Sequence, residues 1–299
     1  MRSGTVAVIG RANAGKSTLV NVLVGEKVSI VSPKPQTTRD RILGILNTED
    51  YQIVFEDTPG VYSGTTALND KMMKTGEMTA REVDLVLFVM DIHEGLKDKD
   101  LELLEKHIKF GEQIVLVLTK IDIMPQEKIL EILPKFNDYP ELLDIVPVSA
   151  RKGRNLKELI NCILKYLPND EKIFSEDIIS DKSEKFMLGE IMREKILLKY
   201  DKEIPHGTAV VINEFTKRNN GNYYVNLDIV CEKDNHKAII IGKGGKKLKE
   251  VVSFARDSME KFLGGKVFLE VFVKVKTDWR NSESLLKEFG YLLNKGSDI

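Results

Sequence analysis

The sequence has little cysteine and no long apolar run. Its two cysteines, Cys162 and Cys231, are far apart in 299 residues, which fits neither a disulfide framework nor a metal-ligand motif and indicates a reducing compartment. No run of about 18 apolar residues occurs, which excludes a transmembrane helix. The start of the chain shows no leader pattern, so we expect the protein in the cytoplasm. Internal repeats and low-complexity segments are also absent, and the length suits two globular domains.

Charge is unevenly distributed along the chain, although its net value is -1. Residues 1–180 carry 23 Lys and Arg against 28 Asp and Glu, whereas residues 181–299 carry 22 against 18. The excess is concentrated in residues 237–280, with 11 basic and 5 acidic side chains. Such a patch is typical of a polyanion-binding module, and a solvated helix face is the alternative.

The first half alternates apolar strands with helices, which predicts an α/β domain with a mixed, mostly parallel sheet. Because only three residues separate segments 41–47 and 51–57, we expect them to form an antiparallel hairpin at one edge. The other predicted strands are residues 5–10, 83–91, 113–119 and 144–149. The predicted helices are residues 16–25, 98–110, 126–137 and 155–167.

The second half has a different order of elements. Pro168 closes the last helix of the first domain, and the polar, acidic residues 169–183 predict a linker. The sequence therefore predicts domains at residues 1–168 and 184–299. In the second domain we expect helices at 184–200, 246–263 and 282–293, and strands at 207–216, 222–232 and 267–276. Residues 235–241 fit either a strand or a short helix.

A phosphate-binding loop follows the first strand directly. Gly10-Arg11-Ala12-Asn13-Ala14-Gly15-Lys16-Ser17 matches G-x-x-x-x-G-K-[ST] and opens the helix predicted at residues 16–25. In this motif the glycines let backbone amides surround the phosphates. Lys16 is expected at the β- and γ-phosphates and Ser17 at Mg²⁺.

Three later segments distinguish GTP from ATP. Asp57-Thr58-Pro59-Gly60 ends a strand, so Asp57 could hold Mg²⁺ through water and the Gly60 amide could meet the γ-phosphate. Thr119-Lys120-Ile121-Asp122 ends another, where the Asp122 carboxylate could accept N1–H and N2–H of guanine. Ser149-Ala150-Arg151 ends a third, where a backbone amide could reach guanine O6. All lie at the carboxyl ends of strands, where such sheets bind ligands.

These motifs resemble those of translation-factor-related GTPases. Pro35-Gln36-Thr37-Thr38-Arg39-Asp40 is expected to form the first switch, with Thr38 binding Mg²⁺ and Thr37 as the alternative; residues 62–81 are expected to form an irregular second switch. Val61 stands where Ras-like GTPases carry the water-orienting glutamine. The resemblance implies that Asn13 coordinates K⁺. The predicted catalytic residues are Asn13, Lys16, Thr38 and Gly60.

A second motif lies in the basic region. Gly242-Lys243-Gly244-Gly245 is a G-x-x-G loop before a helix, and in K-homology domains this loop clamps the backbone of about four nucleotides. We expect an α+β type II K-homology (KH) domain, with residues 235–241 helical as that fold requires. The expected RNA-binding residues are Ile241, Gly242, Lys243, Gly244, Gly245, Lys246 and Lys247.

The complete set of motifs resembles the Era family of bacterial GTPases. The match includes the loop with Asn13, the Pro-Gln-Thr-Thr-Arg segment and the end of the chain around Trp279-Arg280. It implies a GTPase that binds the 3′ end of small-subunit (16S) ribosomal RNA and assists assembly of the small ribosomal subunit. Nucleotide-binding residues implied by the motifs and the resemblance are Gly10, Asn13, Ala14, Gly15, Lys16, Ser17, Thr18, Asp57, Gly60, Thr119, Lys120, Asp122, Ser149, Ala150 and Arg151.

Two positions depart from the family pattern. Ala12 replaces a proline, and Thr119 replaces an asparagine whose amide joins the base site to the phosphate loop. The resemblance implies that the second change weakens nucleotide binding but leaves guanine selection to Asp122. Alternatives are a GTPase of tRNA modification or membrane remodelling, an RNA-binding protein with little turnover, and an ATPase. Arg193, Lys195 and Lys199 could contact lipid headgroups in peripheral membrane association, or form a solvated helix face.

Overall fold

A computed structural model describes residues 1–60, 66–93 and 95–291. Contacts between residues divide the chain into two units. The first contains most of residues 1–181. The second runs from Lys182 onward and also includes Ser32–Thr37 and a short segment that ends at Asp70. Among the described helices, none combines the length and apolarity needed to cross a bilayer.

A six-stranded sheet forms the centre of the first unit, in the order β2-β3-β1-β4-β5-β6. Only β2 runs antiparallel, against β3, which confirms the predicted edge hairpin and the mixed, mostly parallel sheet. The strands are β1 (Arg2–Ile9), β2 (Ile42–Asn47), β3 (Tyr51–Asp57), β4 (Leu85–Asp91), β5 (Ile114–Thr119) and β6 (Leu142–Pro147). Their buried apolar residues face helices on both sides of the sheet.

The helices of the N-terminal half differ from prediction at two places. Residues 126–137 do not form one helix, since α4 ends before a 3₁₀ turn that contains Pro134, which has no N–H for the helical ladder. The prediction that residues 62–81 are irregular is wrong for most of the segment, because α2 spans Ala67–Arg81. Residues 61–65 lie outside the described residues. The helices are α1 (Lys16–Val24), α2 (Ala67–Arg81), α3 (Asp98–Lys109), α4 (Gln126–Ile132) and α5 (Leu156–Tyr166).

A strap, residues 173–181, lies along the free edge of β2. The Ile45 amide donates to the Ile179 carbonyl over 2.9 Å. The buried side-chain amide of Gln52 accepts from the Phe174 amide at 2.9 Å and donates to the Phe174 carbonyl at 2.7 Å. Phe174 also packs on the apolar face of β2 and β3. These residues fall within the predicted linker, whose limits stay a prediction.

The second unit is an α+β domain with a three-stranded sheet in the order β7-β8-β9. β8 pairs antiparallel with β7 and parallel with β9. Residues 235–241 are helical, as the expected fold requires, and Ile240 is fully buried. The elements are α6 (Glu184–Lys199), β7 (Ala209–Lys217), β8 (Tyr223–Cys231), α7 (Asp234–Ile241), α8 (Lys246–Leu263), β9 (Val267–Val275) and α9 (Glu283–Glu288).

Candidate nucleotide and RNA sites

The phosphate loop joins β1 to α1 through backbone conformations that favour glycine. Gly10 has φ +148°, and a Cβ there would lie 2.2 Å from the Val89 carbonyl oxygen. Gly15, with φ 99°, forms the N-cap of α1. No acidic residue occupies the first turn of α1 and no side chain caps it, so amides at its N-terminus can face an anion. The loop therefore has the shape and polarity for phosphate.

Lys16 is buried at the centre of this loop. Its Nζ donates to the carbonyls of Gly10 at 3.0 Å and Arg11 at 3.1 Å. Burial lowers its pKa to about 8, while the charge of Asp57 acts in the opposite direction. A Cβ on Gly60 would lie 2.8 Å from Ala12 Cα and 3.1 Å from Lys16 Nζ, so the end of β3 has room only for glycine beside the loop.

Three oxygen-bearing side chains converge next to Lys16. Ser17 Oγ lies 2.9 Å from Thr38 Oγ1, which lies 3.4 Å from Asp57 Oδ2. Burial raises the pKa of Asp57, opposed by a hydrogen bond from Ser17 and the charge of Lys16. Asp57 Oδ1 is buried and has no hydrogen-bond partner within the described structure. The hydroxyl of Thr37, the alternative magnesium ligand, donates to the Lys34 carbonyl at 2.6 Å, whereas the hydroxyl of Thr38 lies beside Ser17 and Asp57.

This oxygen cluster fits Mg²⁺. Magnesium prefers oxygen ligands and is commonly held by one or two carboxylates together with substrate phosphates. One carboxylate and two hydroxyls at the phosphate loop match that donor set. Among the described residues, no group of three His, Cys, Asp or Glu side chains could hold a metal on its own.

The candidate base site lies at the ends of β5 and β6. Ser149 Oγ donates to Asp122 Oδ1 at 2.6 Å, and this hydrogen bond lowers the pKa of Asp122. The carboxylate therefore stays ionised and keeps Oδ2 as an acceptor. Lys120 adopts φ 62°, and its Nζ lies 2.6 Å from Asp91 Oδ2. Ala150 and Arg151 follow Ser149 in the turn closed by Arg154.

Thr119 supplies a link that the sequence suggested was missing. Its hydroxyl donates to the Ala14 carbonyl over 2.7 Å, with the Met90 carbonyl 3.3 Å away. Thr119 is 3% exposed. The expectation that the end of β5 is no longer joined to the phosphate loop is therefore wrong, because a hydroxyl replaces the amide in this role.

An ion pair at the phosphate loop was missed by the sequence analysis. Arg11 Nη1 lies 3.0 Å from Asp100 Oδ2, and Asp100 is almost fully buried in the first turn of α3. Burial raises the pKa of Asp100 even though the charge of Arg11 opposes the shift. Acidic residues are common in the first turn of helices, so the pattern alone could not have singled out Asp100.

The G-x-x-G loop separates α7 from α8. Gly242, Gly244 and Gly245 have φ values of 71°, 59° and 73°, and a Cβ on Gly242 would lie 2.9 Å from Lys247 Cβ. The α8 N-terminus has no side-chain cap and no acidic residue in its first turn. The three lysines among the expected RNA-binding residues are exposed, and they are Lys243, Lys246 and Lys247. Ile241 is half-buried before the loop.

The basic residues of α6 do not form a common exposed face. Arg193 is 1% exposed, so the reading of it as solvated or as lipid-facing is wrong. Lys195 pairs with Glu194 at 2.7 Å. Lys199 pairs with Glu250 at 2.5 Å. One buried arginine and two paired lysines offer little free charge to a headgroup.

Comparisons with known proteins cover nearly the whole chain. Residues 5–120 match the family described as 50S ribosome-binding GTPase, and residues 203–280 match the KH domain family. GTPase Era of Clostridium kluyveri is 46% identical over 293 residues, which are 97% of this chain and 99% of that protein. GTPase Era of Clostridium botulinum strain Hall is 44% identical over 290 residues, with 97% and 98% covered.

Two solved structures are similar over their full length. Each has a TM-score of 0.94 and 41% identity, and the match covers 98% of this chain and 100% of that structure. One is a variant of Aquifex aeolicus Era bound to GDP and aluminium fluoride. The other is Era in complex with MgGDPNP and nucleotides 1506–1542 of 16S ribosomal RNA.

Proposed function

Because this chain belongs to the GTPase Era family, we propose that it hydrolyses GTP at the phosphate loop and binds the 3′ end of 16S ribosomal RNA through the G-x-x-G loop. The observation that carries the proposal is the convergence of Lys16, Ser17, Thr38 and Asp57 at one end of the sheet. The two activities correspond to the two domains expected at residues 1–168 and 184–299.

In the proposed site, each group around the phosphates has one role. Lys16 binds the β- and γ-phosphates, and the Gly60 amide meets the γ-phosphate. Ser17 and Thr38 hold Mg²⁺ directly and Asp57 holds it through water. When bound, Mg²⁺ neutralises charge that develops on the phosphate oxygens. Because Lys16 is already buried among carbonyls, it is prepositioned to exchange them for phosphate oxygens.

Guanine selection is assigned to Asp122. Its carboxylate would accept N1–H and N2–H of guanine, whereas adenine has no donor at N1. The hydrogen bond from Ser149 orients the carboxylate and keeps it ionised. Hydrogen bonds to a charged group contribute about 1.5–3 kcal/mol each, which supports strong discrimination. Ser149, Ala150 and Arg151 supply the turn whose amides would face O6.

Potassium is the proposed catalytic cation, held by Asn13. This residue is exposed in the phosphate loop with φ 66°, so its side chain is accessible at the mouth of the site. A cation there would stabilise charge between the β- and γ-phosphates, as an arginine finger does in other GTPases. Val61, the apolar residue at the position of the water-orienting glutamine, lies outside the described residues.

The RNA partner is proposed from the second domain. Positive-φ glycines allow close approach of a sugar-phosphate backbone, and three exposed lysines supply charge. The related complex contains nucleotides 1506–1542 of 16S RNA, which supports action on the small subunit. The GTPase family description names the 50S subunit, but that match ends at residue 120 and excludes the G-x-x-G loop. The paired lysines of α6 give no support to peripheral membrane association.

The experiment measures both activities on the full chain. GTP and ATP hydrolysis would be followed at multiple turnover with Mg²⁺, in potassium and in sodium. Anisotropy would compare the 16S 3′-end RNA with a scrambled RNA of equal length, and sedimentation would compare 30S with 50S subunits. We expect GTP turnover, preference for the 3′-end sequence and association with 30S. ATP turnover equal to GTP turnover would contradict the nucleotide assignment, and selective association with 50S would contradict the RNA assignment.

A further inference from the structure

Arg193 contacts the segment that immediately precedes Thr38. Both Arg193 and Ser32–Thr37 belong to the second unit. Arg193 Nη1 donates to the Gln36 carbonyl at 3.2 Å, and Nη2 donates to the Thr37 carbonyl. On its other side the guanidinium forms a two-point pair with Glu190, with N···O distances of 2.7 and 2.5 Å. A side chain expected in solvent is thus fully used inside the protein.

The charge and burial of this contact favour arginine over lysine at position 193. A buried guanidinium needs both a counter-charge and acceptors for its N–H groups. Glu190 supplies the charge, and two consecutive carbonyls of the chain supply further acceptors. Arginine presents its donors in a rigid planar fork, whereas lysine would offer one rotating ammonium. The arrangement therefore fixes two neighbouring carbonyls at once.

Anchoring the Thr37 carbonyl affects Thr38 directly. The Thr37 carbonyl and the Thr38 amide belong to one planar peptide group. Holding the oxygen therefore sets the direction in which the chain continues to the Thr38 Cα. The Thr38 hydroxyl lies 2.9 Å from Ser17 Oγ and 3.4 Å from Asp57 Oδ2, so its position depends on that plane.

The same segment has further anchors within the second unit. Lys34 Nζ lies 2.8 Å from Asp201 Oδ1 and donates to the Tyr200 carbonyl at the end of α6. Gln36 Nε2 donates to Asn69 Oδ1 at 2.8 Å. Among these anchors, Arg193 binds the carbonyl of Thr37, the residue next to Thr38.

We propose that Arg193 is a positioning residue for GTP hydrolysis, which holds the Thr37–Thr38 peptide so that the Thr38 hydroxyl meets Mg²⁺. This inference rests on the proposed function. GDP binding does not require an ordered first switch, whereas the γ-phosphate state does. The contact should therefore matter for the GTP state and for catalysis, and not for GDP affinity.

The test compares Arg193→Met and Arg193→Lys with Lys185→Met, which removes an exposed charge from the same helix. Measurements are GDP affinity, MgGDPNP affinity, kcat, and the Mg²⁺ concentration for half-maximal hydrolysis. For Arg193→Met we expect unchanged GDP affinity and a loss of about tenfold or more in MgGDPNP affinity, as for a hydrogen bond to a charged group. The Mg²⁺ requirement should rise and kcat should fall. Arg193→Lys should lie between the wild type and Arg193→Met, and Lys185→Met should match the wild type.

Folding is controlled by a further variant. Glu190→Gln keeps Arg193 in place but loosens its fork, so it should show the same changes to a smaller extent, and circular dichroism would report folding of every variant. Equal losses of GDP and MgGDPNP affinity, or no change in either for a folded variant, would overturn the proposal. Failure of the wild type to bind or hydrolyse GTP would instead count against the proposed function.

Discussion

The hydroxyl of Thr119 donates a hydrogen bond to the carbonyl of Ala14 over 2.7 Å. Thr119 ends β5, which leads to Asp122, and Ala14 lies inside the phosphate loop. One buried bond thus joins the candidate base site to the candidate phosphate site. The bond uses the side-chain donor of Thr119, so we assign base recognition to Asp122 and the turn after β6.

Replacing Thr119 by valine should weaken nucleotide binding. Valine keeps the shape but removes the donor, which leaves the Ala14 carbonyl without this bond. We expect GDP affinity to fall by about fivefold to tenfold, corresponding to about 1 kcal/mol for a neutral hydrogen bond. Thr119→Ser keeps the hydroxyl and should bind as the wild type does. Equilibrium titration with a fluorescent GDP measures both variants, and equal affinity of valine and serine would show that the bond is not needed.

Replacing Asp122 by asparagine should change base preference. The amide can accept one hydrogen bond and donate another, which suits the N1–H and C2 carbonyl of xanthine rather than the two donors of guanine. Competition between GTP and xanthosine triphosphate would measure the exchange. Unchanged GTP preference in the variant would place guanine recognition elsewhere.

Potassium should accelerate GTP hydrolysis relative to sodium at equal ionic strength. The larger cation would be coordinated by Asn13, which sits in the phosphate loop with φ 66°. Asn13→Ala should remove the difference between the salts, with little change in GDP affinity. Steady-state rates in both salts decide the matter, since equal wild-type rates would leave no role for potassium.

GDP affinity should fall as the pH rises above about 8. Burial lowers the pKa of free Lys16 to about 8, and bound phosphates favour its charged form, so binding takes up a proton above that pH. The slope should not exceed about tenfold per pH unit for one proton. Lys16→Arg stays charged and should lose the slope. The pKa of Lys16 in the unfolded chain is 10.5, so between pH 8 and 10.5 the unfolded state binds a proton that the folded state does not. The free energy of unfolding should therefore increase as the pH rises from 8 to 10.5.

RNA binding should depend on the G-x-x-G loop. In Lys243→Asp/Gly244→Asp, two carboxylates would repel phosphates and two side chains would obstruct the close approach that glycine allows. We expect affinity for the 16S 3′-end RNA to fall by about several-fold to a hundredfold, with a smaller salt slope. The exposed pair Lys185→Asp/Asn219→Asp carries the same change of charge and serves as the control. Wild-type affinity in the loop variant, at matched salt, would falsify the assignment.

Motifs that combine a local sequence with a strand end were predictable. Lys16 and Asp122 follow apolar strands, and the parallel sheet brings those ends to one edge. By contrast, α2 was mistaken for an irregular segment because Gly76 and many polar residues weaken its helical pattern. Its helical pattern becomes visible in the structure through Leu68 and Met72, four residues apart and both buried.

Contacts between distant segments could not be inferred from either segment alone. Arg193 follows apolar residues on a charged helix, and the Gln36 and Thr37 carbonyls together with the Glu190 carboxylate explain its burial. Thr119 was interpreted by comparison with an asparagine, although its own hydroxyl reaches the Ala14 carbonyl in the phosphate loop. In both cases the missing information was the distance from a side-chain donor to a backbone carbonyl far away in sequence.

The strap along β2 determines where the chain can be cut. An exposed edge strand presents unpaired N–H and C=O groups to other chains and favours aggregation. A fragment ending at Pro168 would lose the Ile179 carbonyl that accepts from Ile45, the backbone partners of Gln52, and the cover provided by Phe174. A fragment ending at Asp181 would retain all three. The isolated GTPase module is therefore best produced with thirteen residues beyond Pro168, because residues 173–181 among them cover the free edge of β2.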